Sequence, residues 1–238
     1  MYFKSDYCKN DRFTRIILVV RNKLKDKGVW KMDSVIEQFK KLPTTAISDA
    51  LKGMNNLDPA IKPLKEEYKI AGRAYTVKLP VGDNLMLHKA MKEAKPGDIL
   101  VVDAKGNTYR AVAGDFVVGM MQTLELGGLV VDGAVRDVID IKKLNFPVFV
   151  KGTTVASGGK NGPGETNVPI SCGGVSVNPG DIIVGDVDGV VVVPQERLEE
   201  VLEGAQQKVA SDEEREAKIS GNKEEIIKFI DNMMAKSK

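Results

Sequence analysis

The chain has 238 residues, 42% of them hydrophobic and 29% charged, the proportions of one ordinary globular domain. A net charge of +2 gives no global pull toward nucleic acid or a membrane surface, and no apolar run reaches the roughly eighteen residues of a membrane span. His88 is the single histidine, which excludes a multi-histidine metal site. Two cysteines without metal spacing, Cys8 and Cys172, point to a reducing, cytoplasmic setting.

Residues 1–31 hold nine Lys/Arg against three Asp, while the remainder is net acidic. The apolar run Ile16–Val20 is too short for a signal-peptide core. This leader reads as an accessory segment: an arm that packs on a neighbour, a basic nucleic-acid-binding arm, or an extension upstream of a start at Met32. A single domain, C-terminal helices included, is expected over 32–238.

Helical spacing from Asp33 to Phe39 predicts a first helix, and TTAISDALKG a second, closed by Gly53 and carrying Asp49. Asn55 to Leu64 reads as loop. Ile70 to Leu79 alternates as a strand, Asn84 to Ala94 is a helix stopped by Pro96-Gly97, and Ile99 to Asp103 is a buried strand. Lys105-Gly106-Asn107 is expected to turn the chain.

The central stretch begins at Gly114. Phe116 to about Leu126 suits a largely buried helix, with Gly127-Gly128 as its stop. LVVDG then reads as a buried strand. Eleven helical residues advance about 17 Å, and five strand residues retrace about as much. Twenty residues lie between Asp115 and Arg136, and the loop carrying Arg136-Asp137 is therefore expected beside Asp115. Free amides at Phe116 and Val117 attract an anion. Arg136 can grip a carboxylate or enolate with a fork of donors, and Asp137 is a hard oxygen ligand of the kind Mg²⁺ or Mn²⁺ accepts. On spacing alone a plainer arrangement stays open, in which Asp115 is a helix cap and Arg136-Asp137 a local surface ion pair.

A short helix from Asp137 and a strand at PVFVKGTT follow. Ser157 to Pro169 is a long glycine-rich loop that matches neither a P-loop nor a dinucleotide fingerprint. Short strands are expected around turns at Asn178-Pro179-Gly180 and Asp188-Gly189. A long helix interrupted at Gly204 runs to about Gly221, and EEIIKFIDNMM makes a last amphipathic piece.

ISDAL, AGRAYTV, GDNLMLHKAM, KPGDILVVD, AGD followed by twenty residues and RD, and PGDIIVGDVDGVVVVP together resemble the RraA-like family. That family includes 4-hydroxy-4-methyl-2-oxoglutarate aldolases and regulators of ribonuclease E activity, and the likeness covers about residues 33–221. It implies an α/β fold of the swivelling β/β/α type, a central β-sandwich flanked by helices, assembled as a homotrimer or hexamer with sites between subunits. By the same resemblance Asp137 would hold Mg²⁺ or Mn²⁺. Arg136 and the helix start at Gly114, Phe116 and Val117 would bind the pyruvyl moiety, and Lys160 would lie near the substrate. Asp115 would position a proton-shuttling water, joined by Asp49 (where some aldolases carry Glu) and by an acidic residue near Glu213 from a neighbouring subunit.

The activity implied is a class II aldolase acting on small 2-oxo acids, with oxaloacetate decarboxylation as a side activity. A Schiff-base lysine is not expected, because Lys160 sits in a glycine loop with no desolvating pocket in view. The alternative is a non-catalytic regulator that binds ribonuclease E or another protein.

Overall fold

In a computed structural model the chain is described over residues 32–236, so the expectations for the basic leader lie outside the described residues. The unit carrying the sheet begins at Gln38. Helix α1 (Met32–Lys41) straddles that boundary.

Ten strands and six further helices follow. The strands are β1 (Lys62–Pro63), β2 (Ile70–Lys78), β3 (Ile99–Ala113), β4 (Gly128–Val135), β5 (Val148–Thr153), β6 (Glu165–Thr166), β7 (Ile170–Cys172), β8 (Val175–Val177), β9 (Ile182–Asp186) and β10 (Gly189–Val193). The helices are α2 (Thr44–Ala50), α3 (Leu85–Glu93), α4 (Asp115–Thr123), α5 (Val138–Leu144), α6 (Leu198–Ile219) and α7 (Lys223–Lys236). The main sheet has the order β1-β5-β4-β3-β2-β9-β10, with β6 beside β2 and β7–β8 a separate ribbon.

Strands β2, β3, β4 and β5 are parallel, joined by helical crossovers, and the apolar runs of β4 and of the first halves of β3 and β5 are buried on both faces. Leu100, Val102, Leu129, Val131, Val148 and Val150 face α3, α4 and α5 in one apolar core. Their alternates Ile99, Val101, Val130 and Phe149 face a second core with Cys172, Val177, Ile183 and Val192. The period of two thus sorts each strand between a helical layer and a β layer.

The β layer arises because β2 changes partners midway. Ile70 to Arg73 pairs with β9, and Ala74 to Lys78 with β3. The β9–β10 ribbon folds back over the sheet. A side chain at Gly185 of β9 would lie 3.1 Å from the Phe149 ring of β5, although three strands separate the two in the sheet order. This is the expected β/β/α sandwich.

Three local expectations are corrected. Lys105-Gly106-Asn107 does not end its strand. Lys105 and Gly106 adopt left-handed backbone (φ 60° and 66°), bulge out, and let β3 run on to Ala113 with its register against β4 shifted. Gly127-Gly128 is not the stop of α4, since Thr123 ends it and Glu125 already turns left-handed (φ 57°). Those glycines serve packing instead: a side chain on Gly127 would fall 2.6 Å from the Gly97 carbonyl. Gly204 does not interrupt α6, because it lies where α6 crosses α2 and a side chain there would press to 3.2 Å from the Ala50 methyl. Close helix packing outweighs the weak helix propensity of glycine.

Candidate functional site

Parallel β3 and β4 end on the same edge of the sheet, so their following loops adjoin. The last registered pair is Ala113 with Val135, and the Arg136 amide donates to the Ala113 carbonyl at 3.0 Å. Arg136 and Asp137 are thereby set against Gly114, the residue that opens α4. The loop returns to the helix start as expected, but through the pairing of β4 with β3 and not through equal lengths: α4 has nine residues, about 13 Å, and β4 eight, about 26 Å.

Arg136 Nε lies 3.3 Å from Asp137 Oδ2, with the two side chains 42% and 39% exposed. A methyl group on Gly114 would fall 2.4 Å from Asp137 Oδ2 and 3.4 Å from Arg136 Cγ and Nε. The space that holds the carboxylate exists because residue 114 has no side chain. Asp137 also turns the chain into α5, in left-handed backbone with φ 58°.

The first intrahelical bond of α4 runs from the Val118 amide to the Gly114 carbonyl at 3.0 Å. The amides of Asp115, Phe116 and Val117 therefore have no partner within the helix, and the positive end of its dipole is at the same place. Asp115 is partly buried in the first turn, and the capping position belongs to Gly114, with no side-chain cap bond. Asp115 is thus not the helix cap. The local Arg136–Asp137 ion pair, by contrast, is present.

Lys160 is exposed on the glycine-rich loop, and that loop is pinned on both sides of it. The Gly158 amide donates to the Ala111 carbonyl at 2.9 Å, the Gly159 amide to the Gly82 carbonyl at 2.8 Å, and the Asn84 amide to the Gly159 carbonyl at 2.9 Å. The anchor on the far side is Asp83, which the sequence reading passed over. Its buried carboxylate accepts the amides of Leu85, Asn161 and Gly162 at 2.7–2.9 Å. Burial opposes its charge, yet these backbone donors outweigh that and hold its carboxyl below the usual aspartate range.

Beside it Asn84, 6% exposed, donates to the Val112 carbonyl at 2.9 Å, while its Oδ1 has no partner among the described residues. A Gly-Asp-Asn run between a strand and a helix was the available signal for both residues. His88 is held in α3 with Nδ1 3.0 Å from the Asn84 carbonyl, as a structural residue would be.

Asp49 and the acidic run near Glu213 lie elsewhere in the chain. α2 starts where Asp186, at the end of β9, accepts the Thr44 amide and hydroxyl at 2.9 and 2.6 Å. Asp49 on that helix meets Lys208 of α6 at 3.2 Å, and Lys208 also meets Asp212 at 3.1 Å. Glu213 is exposed on α6. Within one chain, no hydrogen bond or ion pair among the described residues joins this group to Arg136 or Asp137. An open cleft of about 760 Å³, among Arg73, Tyr75, Glu93 and Asp98, lies by the start of β3, at the opposite end of the strand from Arg136.

No cluster of three or more His, Cys, Asp or Glu suited to a metal occurs among the described residues. What the β4–α5 loop presents is one half-exposed carboxylate in a space kept open by glycine, beside a guanidinium. That donor set fits a hard divalent cation which keeps most of its shell as water and substrate oxygen. No helix among the described residues is long and apolar enough to cross a membrane.

Comparison with known proteins gives a consistent picture. The RraA-like family, described as Aldolase/RraA, matches residues 44–192. A Halalkalibacterium halodurans protein provisionally named a 4-hydroxy-4-methyl-2-oxoglutarate aldolase is 54% identical over 199 residues, 84% of this chain and 95% of its own length. An uncharacterised Pseudomonas syringae protein superposes with a TM-score of 0.74 at 27% identity, over 83% of this chain and 94% of its own. The RNA-processing inhibitor RraA of Thermus thermophilus superposes with a TM-score of 0.60 at 29% identity, over 65% and 93%.

Proposed function

Because this chain belongs to the RraA-like (Aldolase/RraA) family, we propose that it is a carbon–carbon lyase. In this reading it is a divalent-metal-dependent aldolase that cleaves 4-hydroxy-2-oxo acids of the 4-hydroxy-4-methyl-2-oxoglutarate type to pyruvate and a second oxo acid. The observation that carries the reading is the convergence of Arg136 and Asp137 on Gly114 at the amide end of α4.

Asp137 would hold Mg²⁺ or Mn²⁺, which when bound supplies Lewis acidity toward the 2-oxo group. Arg136 binds the pyruvyl carboxylate with two parallel donors, and the amides of Phe116 and Val117 orient the same moiety. Asp115, through a water, takes the proton of the C4 hydroxyl. The C4–O bond becomes a carbonyl, the C3–C4 pair moves onto C3, and the resulting pyruvate enolate is neutralised by Arg136 and the helix amides until C3 is protonated. Oxaloacetate yields the same enolate by loss of CO₂, so its decarboxylation is a side activity of this site. Lys160 would contact the distal part of the substrate.

Exposed Phe116, Ile139 and Val155 flank this edge of the sheet, at 75%, 73% and 94%. Such a rim supports a homotrimer or hexamer with the site between subunits, where Asp49 or Glu213 of a neighbour could complete it. A second reading, a regulator that binds a ribonuclease, draws on the likeness to the Thermus RNA-processing inhibitor. The test is turnover of purified protein on a panel of 2-oxo acids, with and without Mg²⁺. Metal-dependent release of pyruvate is expected. Full activity after verified metal removal sinks the class II reading, and no turnover on any 2-oxo acid favours the regulator.

A further inference from the structure

The start of the glycine-rich loop is bonded into the sheet beside β3. Near its end β3 has β4 on one side, with Ala111 opposite Ala134, and the loop on the other, with Ala111 opposite Ser157. The Ala111 amide donates to the Ala156 carbonyl at 2.8 Å, and the Ala111 carbonyl accepts the Gly158 amide at 2.9 Å. All three segments run parallel. Arg136-Asp137 and Gly159-Lys160, two and three residues further on, therefore leave the same edge of the sheet on either side of β3. Two strand spacings separate them, about 10 Å.

Lys160 is exposed there, and among the described residues no hydrogen bond or ion pair holds its ammonium. The chain around it is tied down. Gly159 is bonded through both its amide and its carbonyl, and Arg110 of β3 braces the loop from outside, its Nη1 donating to the Ser157 carbonyl at 3.0 Å. Beyond Lys160 the Asp83 carboxylate divides its two oxygens. Oδ1 accepts the Leu85 amide at the start of α3, and Oδ2 accepts the amides of Asn161 and Gly162. A methyl group at Gly162 would fall 2.5 Å from Pro80 Cγ and 3.1 Å from Asp83 Cγ, so the loop closes on Asp83 only with glycine there. A loop fastened by one buried carboxylate keeps its shape without a ligand, and the freedom a mobile loop would lose on binding is already lost in folding.

We propose that Asp83 is a positioning residue of the candidate site: it fixes the glycine-rich loop so that the Lys160 ammonium stands across β3 from Arg136 and receives a second acidic group at the far end of the ligand. The inference rests on the reading of Arg136 and Asp137 as the pyruvyl-binding end. It makes the site selective for oxo acids with an acidic group at each end, because an ammonium on a carboxylate is a charge-assisted contact that changes affinity on the order of tenfold.

The test is calorimetric binding of two 2-oxo acids to the full-length protein in Mg²⁺: 2-oxoglutarate, with a carboxylate at its far end, and 2-oxopentanoate, with a methyl group there. Neither carries the C4 hydroxyl that cleavage needs, so binding is read without turnover. Wild type should bind 2-oxoglutarate on the order of tenfold more tightly. Lys160→Met should bring the two acids to within about twofold by weakening only the diacid. Asp83→Asn keeps an acceptor for Leu85 but turns an amide group onto the amides of Asn161 and Gly162, and it should have the same effect. So should Gly162→Ala, which parts the loop from an intact Asp83 and covers the case in which Asp83→Asn does not fold. A merely structural Asp83 would, on substitution, weaken both acids together or neither, and either result overturns the proposal. So does a preference for 2-oxoglutarate that survives Lys160→Met or Gly162→Ala. Equal binding of the two acids by wild type removes the inference and leaves the pyruvyl reading in place, whereas binding of neither removes both.

Discussion

Two groups of carboxylates and cations in this molecule are alike in composition and opposite in construction. Asp137 and Asp212 are each 39% exposed and each paired with a basic side chain. Arg136 and Asp137, however, are placed by backbone: the register of β3 on β4, the Arg136 amide on Ala113, the missing side chain of Gly114, and a left-handed corner. The Asp49–Lys208–Asp212 group is held by side chains alone, Lys208 reaching across to Asp49 of α2 and along its own helix to Asp212. A geometry set by backbone is preorganised and does not have to be found again when a ligand arrives. An exposed ion-pair network contributes little stability and can exchange one partner for another at small cost. The first keeps its geometry with or without a ligand, and the second can rearrange.

Substitutions can break this contrast, and the largest effect is expected on the backbone-built side. Chelation by EDTA, or Asp137→Ala, should take pyruvate release from oxaloacetate or hydroxy-methyl-oxoglutarate below detection, with Mg²⁺ or Mn²⁺ restoring only the chelated wild type. Arg136→Lys should cost about 2–4 kcal/mol in kcat/KM, because one ammonium cannot reproduce two parallel donors. A value within threefold of wild type would make Arg136 structural. Gly114→Ala tests preorganisation by itself. It removes no functional group, yet it should lower kcat on the order of 100-fold by displacing the Asp137 carboxylate, with the melting temperature nearly unchanged.

Asp83→Ala sharpens the comparison through stability, since it strands the amides of Leu85, Asn161 and Gly162 at a cost of about 2–4 kcal/mol in denaturant unfolding. Its lowered carboxyl also has a pH signature. The stabilisation is full above the ordinary aspartate range and is lost as pH falls through the lowered value. Protection of the amides of Asn161 and Gly162 from hydrogen exchange should fall over that acid window in wild type and be weak at every pH in the variant. The smallest effect belongs to Lys208→Met, which should shift stability by less than about 1 kcal/mol. A loss of several kcal/mol there would show that the α2–α6 network is structural after all.

Much of the fold could be read from residues with a clear period. The unbroken apolar runs Ile99 to Val102 and Leu129 to Val131 mark strands buried on both faces, and they lie in two cores as such runs should. The convergence of Arg136 and Asp137 on the start of α4 was suggested by a helix followed by a buried strand, although neither element has the length expected for it. What escaped depended on contacts between segments distant in sequence. Gly204 looks like a helix breaker until Ala50 is seen beside it, and Gly127 like a helix stop until the Gly97 carbonyl is. Asp83 reads as a turn residue, and its role shows only once Asn161 and Gly162, nearly eighty positions away, fold back onto it. Asp49 and Glu213 entered through the family resemblance and not through any local pattern, and a single chain leaves them apart from the Arg136 loop.

The left-handed corner at Asp137 means that one residue carries two separable duties. Its backbone must hold φ near 58°, which Asn and Gly tolerate and β-branched residues resist. Under the proposed function its carboxylate must also supply an oxygen to the metal. A saturation library at this position should therefore sort along two axes: Asn and Gly abundant but inactive, Val and Ile depleted from the folded pool altogether. Asp137→Asn then becomes the cleanest inert version of the protein, unchanged in shape and lacking only the charge. It would serve as a bait for whatever binds this edge of the sheet without turning over.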